Sequence, residues 1–280
     1  MPGPKKLDPS SSPRALLGAE LRHRREKAGL SQDQLGLELF VSGSFIGQLE
    51  SGTRRMQEDQ ARRLDEVLKA DTFFVRNCAA LKKSKYPDHF AEAAEQEAKA
   101  TAIKEYAPLL IPGLLQTEAY ARAVCRAYQP TAPEDDITEL VVARLERAQL
   151  LADPTTPLFW AVLDEATLRR RVGGPAVMAE VLHHVAALIR ARRIIVQVLP
   201  FSAGAHKAME GSLKLMFFGD APPLAYLQCL STGALHDDPA MVRHCELTYD
   251  LLVANALSPE ASLAMIESVA EDYAHEAEQF

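Results

Sequence analysis

The chain has 280 residues, 48% hydrophobic and 25% charged, with a formal net charge of −7. That balance excludes a collagen-like, wholly disordered or membrane-embedded chain, and the length suits one large or two ordinary domains with a sizeable core. The charge is uneven: residues 1–85 carry +5 and residues 86–280 carry −12, so the first part suits a polyanion and the second suits proteins or small molecules.

In chain order, Met1 to Pro13 is polar, rich in Pro and Ser, and reads as a flexible tail rather than a signal peptide. From residue 14 to about residue 70 the pattern is helical and broken at short intervals. Leu17 and Leu21 share one face of a first helix, Arg22, Arg24, Arg25 and Lys27 lie mostly on others, and Gly29 is its stop. Ser31 is placed to cap a second helix carrying Leu35 and Leu39, and Ser42 a third carrying Phe45, Ile46 and Leu49. The turn between them falls near Phe40 to Ser42. Gly52 ends the third helix, Thr53-Arg54-Arg55 forms a basic loop, and Gln57 to Lys69 is a further helix.

Residues 71–87 read as a connector, apolar at Phe73-Phe74-Val75 and then basic up to Pro87. Beyond it, residues 88–280 alternate helices and strands. Helices are predicted over Asp88 to Lys99, after the Ile111-Pro112-Gly113 turn as far as Tyr128, over Glu134 to Leu151, Pro175 to Arg192, Pro239 to Leu257 and Ser258 to Glu276. Strands are predicted over Leu158 to Leu163, Ile194 to Leu199, Leu213 to Phe218 and Leu224 to Cys229. The expected fold class is α+β: an all-helical N-terminal domain followed by a mixed α+β domain.

The N-terminal pattern carries the chemistry. Two helices crossing near a right angle need a small residue at their closest approach, and Gly36 supplies it. The third helix is then free to enter the major groove, where each base pair shows its own donor and acceptor pattern. Ser44 and Gln48, four apart on that helix, are the base-reading candidates, with Gln48 suited to a bidentate contact with adenine. Gln32, at the positive end of helix two, and Ser42, Ser51, Thr53, Arg54 and Arg55, flanking helix three, are the phosphate-contacting candidates. Arg22, Arg24 and Arg25 add long-range attraction. The expected partner is double-stranded DNA, read by a homodimer on an inverted repeat because one such unit reads only a half-site.

Leu30-Ser31-Gln32-x-x-Leu35, then Val41-Ser42, Ile46 and Leu49-Glu50-x-Gly52-x-Arg54, resembles the Cro/C1 (XRE-type) helix–turn–helix of bacterial and phage repressors. The resemblance implies a lambda-repressor-like fold over about residues 15 to 70. Phe40 stands where that family usually has a turn glycine, so either an aromatic takes positive φ or the turn is rearranged. Gly43 and Gly47 occupy positions where the family often has DNA-reaching side chains.

Farther on, Ile111-Pro112-Gly113-Leu114-Leu115-Gln116-Thr117-x-x-Tyr120-Ala121, Leu163-Asp164-Glu165-x-x-Leu168, Val172-Gly173-Gly174, Val198-Leu199-Pro200 and Ala256-Leu257-Ser258-Pro259-Glu260-x-Ser262 resemble the large C-terminal domain of actinobacterial XRE-type regulators. That resemblance implies a dimeric transcription factor whose C-terminal domain docks a small protein encoded nearby, in a toxin–antitoxin-like or developmental role. The alternative is a ligand-gated repressor whose C-terminal domain binds a metabolite.

Enzyme and metal readings are weaker. Asp164-Glu165 follows a strand and offers paired carboxylates, but capping by Asp164 and pairing with Arg169 explains them as well. His183-His184, His236-Asp237-Asp238 and His244-Cys245 lack three or four convergent ligands, and the widely spaced Cys78, Cys125, Cys229 and Cys245 read as reduced thiols. The expectation is a cytoplasmic, non-enzymatic protein with no membrane segment, cofactor or metal.

Overall fold

The computed structural model describes Pro9 and residues 13–52, 54, 56–80, 88–230 and 232–279. It divides into two compact units, Met1–Ser84 and Lys85–Phe280.

The first unit is helical: α1 (Pro13–Lys27), α2 (Gln32–Glu38), α3 (Gly43–Glu50), α4 (Glu58–Val67) and α5 (Phe73–Ala80). Local signals set the breaks. Gly29 at φ 70 ends α1, since only glycine takes that conformation without steric cost. Ser31 caps α2 in a reciprocal box with Gln34, and Ser42 caps α3 by accepting the Phe45 N–H. Leu17, Leu21, Leu35, Leu39, Ile46, Leu49 and Leu64 fill one core. A methyl group on Gly36 would come within 2.6 Å of the Val41 carbonyl oxygen, so glycine is what lets α2 and the following turn pack this closely.

In the stretch read as a connector, α5 buries Phe74 and Cys78 in that same core, and Asp65 of α4 accepts the N–H groups of Phe74 and Val75 at its start. Residues 81–87 lie outside the described part of the chain.

The turn between α2 and α3 is not rearranged around its aromatic residue. Phe40 takes φ 57 and stands 92% exposed, so it bears the left-handed strain of a residue with a Cβ, about 1 kcal/mol, and recovers nothing by burial. Phe40→Gly relieves that strain but adds glycine's larger loss of conformational entropy, and is therefore expected to stabilise the first unit by up to about 0.5 kcal/mol, read as slower amide exchange in α2 and α3. A loss of protection there would contradict the strain.

The second unit opens with α6 (Asp88–Glu97) and β1 (Ala102–Ala107), then α7 (Glu118–Tyr128) and α8 (Glu134–Ala148). It continues through β2 (Leu158–Asp164), α9 (Glu165–Arg169), α10 (Pro175–Arg190) and β3 (Ile194–Leu199). Next come β4 (Ser212–Phe217), β5 (Leu224–Cys229) and β6 (Thr232–His236), and α11 (Pro239–Asn255) and α12 (Pro259–Ala277) follow. The described strands form one sheet in the order β3-β2-β1-β4-β5-β6, parallel over β3, β2 and β1 and antiparallel beyond.

Alternation along the strands divides the core in two. Ile194, Val196 and Val198 of β3 join Phe159, Ala161 and Leu163 of β2 under α10 and α12, while Val162, Leu199, Leu213 and Leu215 meet Val242, Cys245, Tyr249 and Leu252 of α11 on the opposite face. The architecture is α+β, with helices on both faces of a mixed sheet.

Two strands lack a counterpart in the sequence reading. β1, central in the sheet, carries Lys104 and Glu105 in six residues, and Glu105 stands in register with Lys214 of β4, whose Nζ is 3.1 Å from its carboxylate. The other is β6, a five-residue edge strand containing Gly233, where a Cβ would collide with the Tyr226 ring.

Candidate nucleic-acid interface

On α3 the apolar positions Ile46 and Leu49 are buried, and Ser44 and Gln48 stand exposed one turn apart. The sequence-predicted base readers therefore share the outward side of that helix. Gly43 and Gly47 face inward instead. Gly43 is buried where a Cβ would overlap the Asp33 carboxylate, and Gly47 lies against the Gln32 amide, 3.3 Å from Oε1 at the position of a would-be Cβ. These glycines make room for α2 rather than leaving gaps in a reading surface.

The flanking candidates divide into several kinds. Ser42 is spent on capping α3. The Ser51 hydroxyl donates to the Gln48 carbonyl at 3.1 Å. The Gln32 Nε2 donates to Glu50 Oε2 at 2.7 Å, so its amide group binds within the unit as well as starting α2. Arg54 is exposed; its guanidinium carbon lies 4.2 Å from the centroid of the Phe45 ring, and Nη1 donates to Gln48 Oε1 at 3.2 Å. Thr53 and Arg55 lie outside the described residues.

Glu50 is the residue that the reading of the site missed. It is 1% exposed, accepts from Arg25 Nε at 2.5 Å, and has Arg22 Nε 3.4 Å from its other oxygen. Arg25 also donates to the Leu30 carbonyl, tying α1 to the loop before α2. Arg24 pairs with Glu20 and lies over the Phe73 ring at 4.8 Å. The arginines of α1 therefore hold the helices in place, with Arg22 and Arg25 converging on the carboxylate at the end of α3. The signal was available: Arg25 continues the four-residue stripe of Leu17 and Leu21, and Glu50 lies four residues after Ile46.

Several of the singled-out residues of the second unit have structural partners. Asp164 caps α9 through the Ala166 N–H, and Glu165 pairs with Arg169 at 3.2 Å and accepts the Phe201 N–H. Asp238 caps α11, and His183 meets Glu271. In the Ile111-to-Tyr120 motif, the Ile111 N–H donates to the Tyr120 hydroxyl, Gln116 Nε2 donates to the Ile111 carbonyl, and Arg144 donates to Gln116 Oε1. Leu114, Leu115 and Tyr120 are buried in the core, so the motif is a folded turn rather than an open groove. Among the described residues no group of three or more His, Cys, Asp or Glu is placed to hold a metal, and no helix is long and apolar enough to cross a membrane.

Comparison with known proteins agrees with this division. Residues 16–72 match a helix-turn-helix domain, and residues 90–268 match a domain of unknown function, DUF5753. No curated protein and no solved structure matches the chain. The second match spans more than half of the chain and coincides with the sheet-containing unit, and on that ground the chain belongs to the DUF5753 family, with a helix–turn–helix domain ahead of it.

Proposed function

We propose that the protein is a cytoplasmic, sequence-specific transcriptional regulator of XRE type that binds double-stranded DNA through α3. The observation that carries this reading is the pair Ser44 and Gln48, polar and exposed on a helix whose other side is anchored by Ile46 and Leu49. The +5 charge of residues 1–85 favours a polyanion, whereas the −12 of the remainder does not. One unit covers a half-site, so the functional species is a homodimer on half-sites about 34 Å apart. The second unit supplies dimerisation and the docking surface for a small partner protein; the resemblance of its motifs to those of regulators encoded beside such proteins supports that role.

The test is selection of duplexes from a randomised pool by the full-length chain, followed by affinity measurement on the enriched site. Gln48→Ala is expected to cost about 1–3 kcal/mol at one base pair per half-site while leaving the other positions unchanged. Equal loss on every sequence would remove Gln48 from base reading, and the absence of any enriched inverted repeat would refute the proposed function.

A further inference from the structure

Arg54 is a phosphate-contacting candidate by its sequence position, and its surroundings give it further work. Its backbone N–H donates to the Gln48 carbonyl at 3.1 Å, and its side-chain Nη1 donates to Gln48 Oε1 at 3.2 Å, so main chain and side chain both grip the same residue. The guanidinium rests on the Phe45 ring, which is half-buried and packed against the core of the first unit. The Ser51 hydroxyl adds a third hydrogen bond to the Gln48 carbonyl. A guanidinium has only donors, so the amide atom facing it is necessarily the oxygen. The orientation of the Gln48 amide is thus dictated by chemistry.

We propose that Arg54 is a specificity-positioning residue: stacked on Phe45, it takes the carbonyl oxygen of Gln48 and turns the amide so that the pair shows the major groove a donor-rich edge. This rests on the DNA-binding role proposed for α3. An edge rich in N–H donors fits guanine, which offers N7 and O6 as acceptors, better than adenine, whose N6 amino group is itself a donor. The base read at the Gln48 position is therefore guanine, in place of the adenine expected for an unconstrained glutamine. Arg54→Lys is the discriminating substitution, because it keeps the positive charge but loses the planar fork that stacks and aims.

The experiment uses the full-length chain and a duplex pool randomised over about two helical turns, selected with the wild type, Gln48→Ala, Arg54→Lys and Arg54→Met. The expected result is a wild-type motif with guanine at the one position whose preference Gln48→Ala erases. Arg54→Lys should lower that preference about tenfold while leaving the salt dependence of overall binding near the wild-type slope, and Arg54→Met should lose the preference and flatten the slope together. Adenine at that position, or an Arg54→Lys preference equal to the wild type's, overturns the proposal while leaving the DNA-binding role standing. If the folded wild type enriches no motif at all, the DNA-binding role fails and takes this one with it.

Discussion

Arg25→Met is expected to remove up to about 3–5 kcal/mol from the first unit, the upper limit being the cost of leaving a buried carboxylate wholly unpaired. Glu50 is 1% exposed at the end of α3, and Arg25 supplies both its shortest hydrogen bond and a second, longer one to the other oxygen. Without Arg25 the carboxylate keeps Gln32 and Arg22, at 2.7 and 3.4 Å, beside one oxygen and loses its partner on the other. Against the 5–15 kcal/mol of an ordinary domain, that loss consumes much of the stability that holds α3 in place, so DNA affinity should fall on all sequences alike.

The sole tryptophan, Trp160, lies in β2 of the second unit. Amide exchange of α1 and α3 in the full-length chain is the appropriate probe, and both helices should exchange faster by the same factor. The double variant Arg25→Met, Glu50→Met should recover most of the protection, because it removes the buried charge along with its partner. A loss below about 1 kcal/mol for Arg25→Met, the range of an exposed ion pair, would show that Glu50 does not depend on Arg25.

The parts of the molecule legible in the sequence are those whose causes are local. Ser31 and Ser42 cap the helices that follow them, Gly29 stops the one before, and Ile46 and Leu49 mark the inner side of α3, so α1 to α3 and the exposure of Ser44 and Gln48 follow from neighbours in the chain. The capping by Asp164 and its neighbour's pairing with Arg169 are local in the same sense. What escaped depends on partners far along the chain. Arg25 shows in the sequence as a charge on the buried stripe of Leu17 and Leu21, but its partner does not, because Glu50 lies 25 residues away. The strand character of β1 is hidden because Lys104 and Glu105 make a poor β signal, and the lysine that pairs with Glu105 sits in β4, more than 100 residues later. Phe40 was legible only as two options, since sequence states the conflict between an aromatic side chain and a glycine turn without saying which gives way.

Lys214 raises the same question of charge in the second unit, and there the consequence includes a change in the sign of a pH dependence. Its ammonium group is buried between Glu97, which it contacts directly, and Glu105, while Arg147 Nε reaches the other Glu97 oxygen at 3.0 Å. Glu97 is fully buried. Burial pushes its carboxyl up, but Lys214 and then Arg147 outweigh burial and hold it below the ordinary carboxylate value. In the wild type, therefore, the unfolded chain takes up this proton before the folded chain does. The stabilisation is fully present above the ordinary glutamate range, about pH 4.3, and is lost as the pH falls through the depressed folded value.

Among the described residues, Lys214→Met leaves Glu97 and Glu105 with Arg147 as the remaining cation of this cluster. It is expected to cost about 3–5 kcal/mol near neutral pH, which lowers the melting temperature of a unit this size by about 10 °C. Burial then governs Glu97, so its folded carboxyl binds a proton more readily than the unfolded one, and the contribution of this group to stability falls as the pH rises. Calorimetry of the full-length chain at about pH 7 and about pH 5, bracketing the window just above the ordinary glutamate value, should show the variant's deficit shrinking on acidification. Lys214→Arg, which retains the charge, should keep the wild-type pH trend. A Lys214→Met deficit that stays constant or grows between those two pH values would mean that Glu97 remains ionised without Lys214, and that Arg147 alone suffices to hold its buried charge.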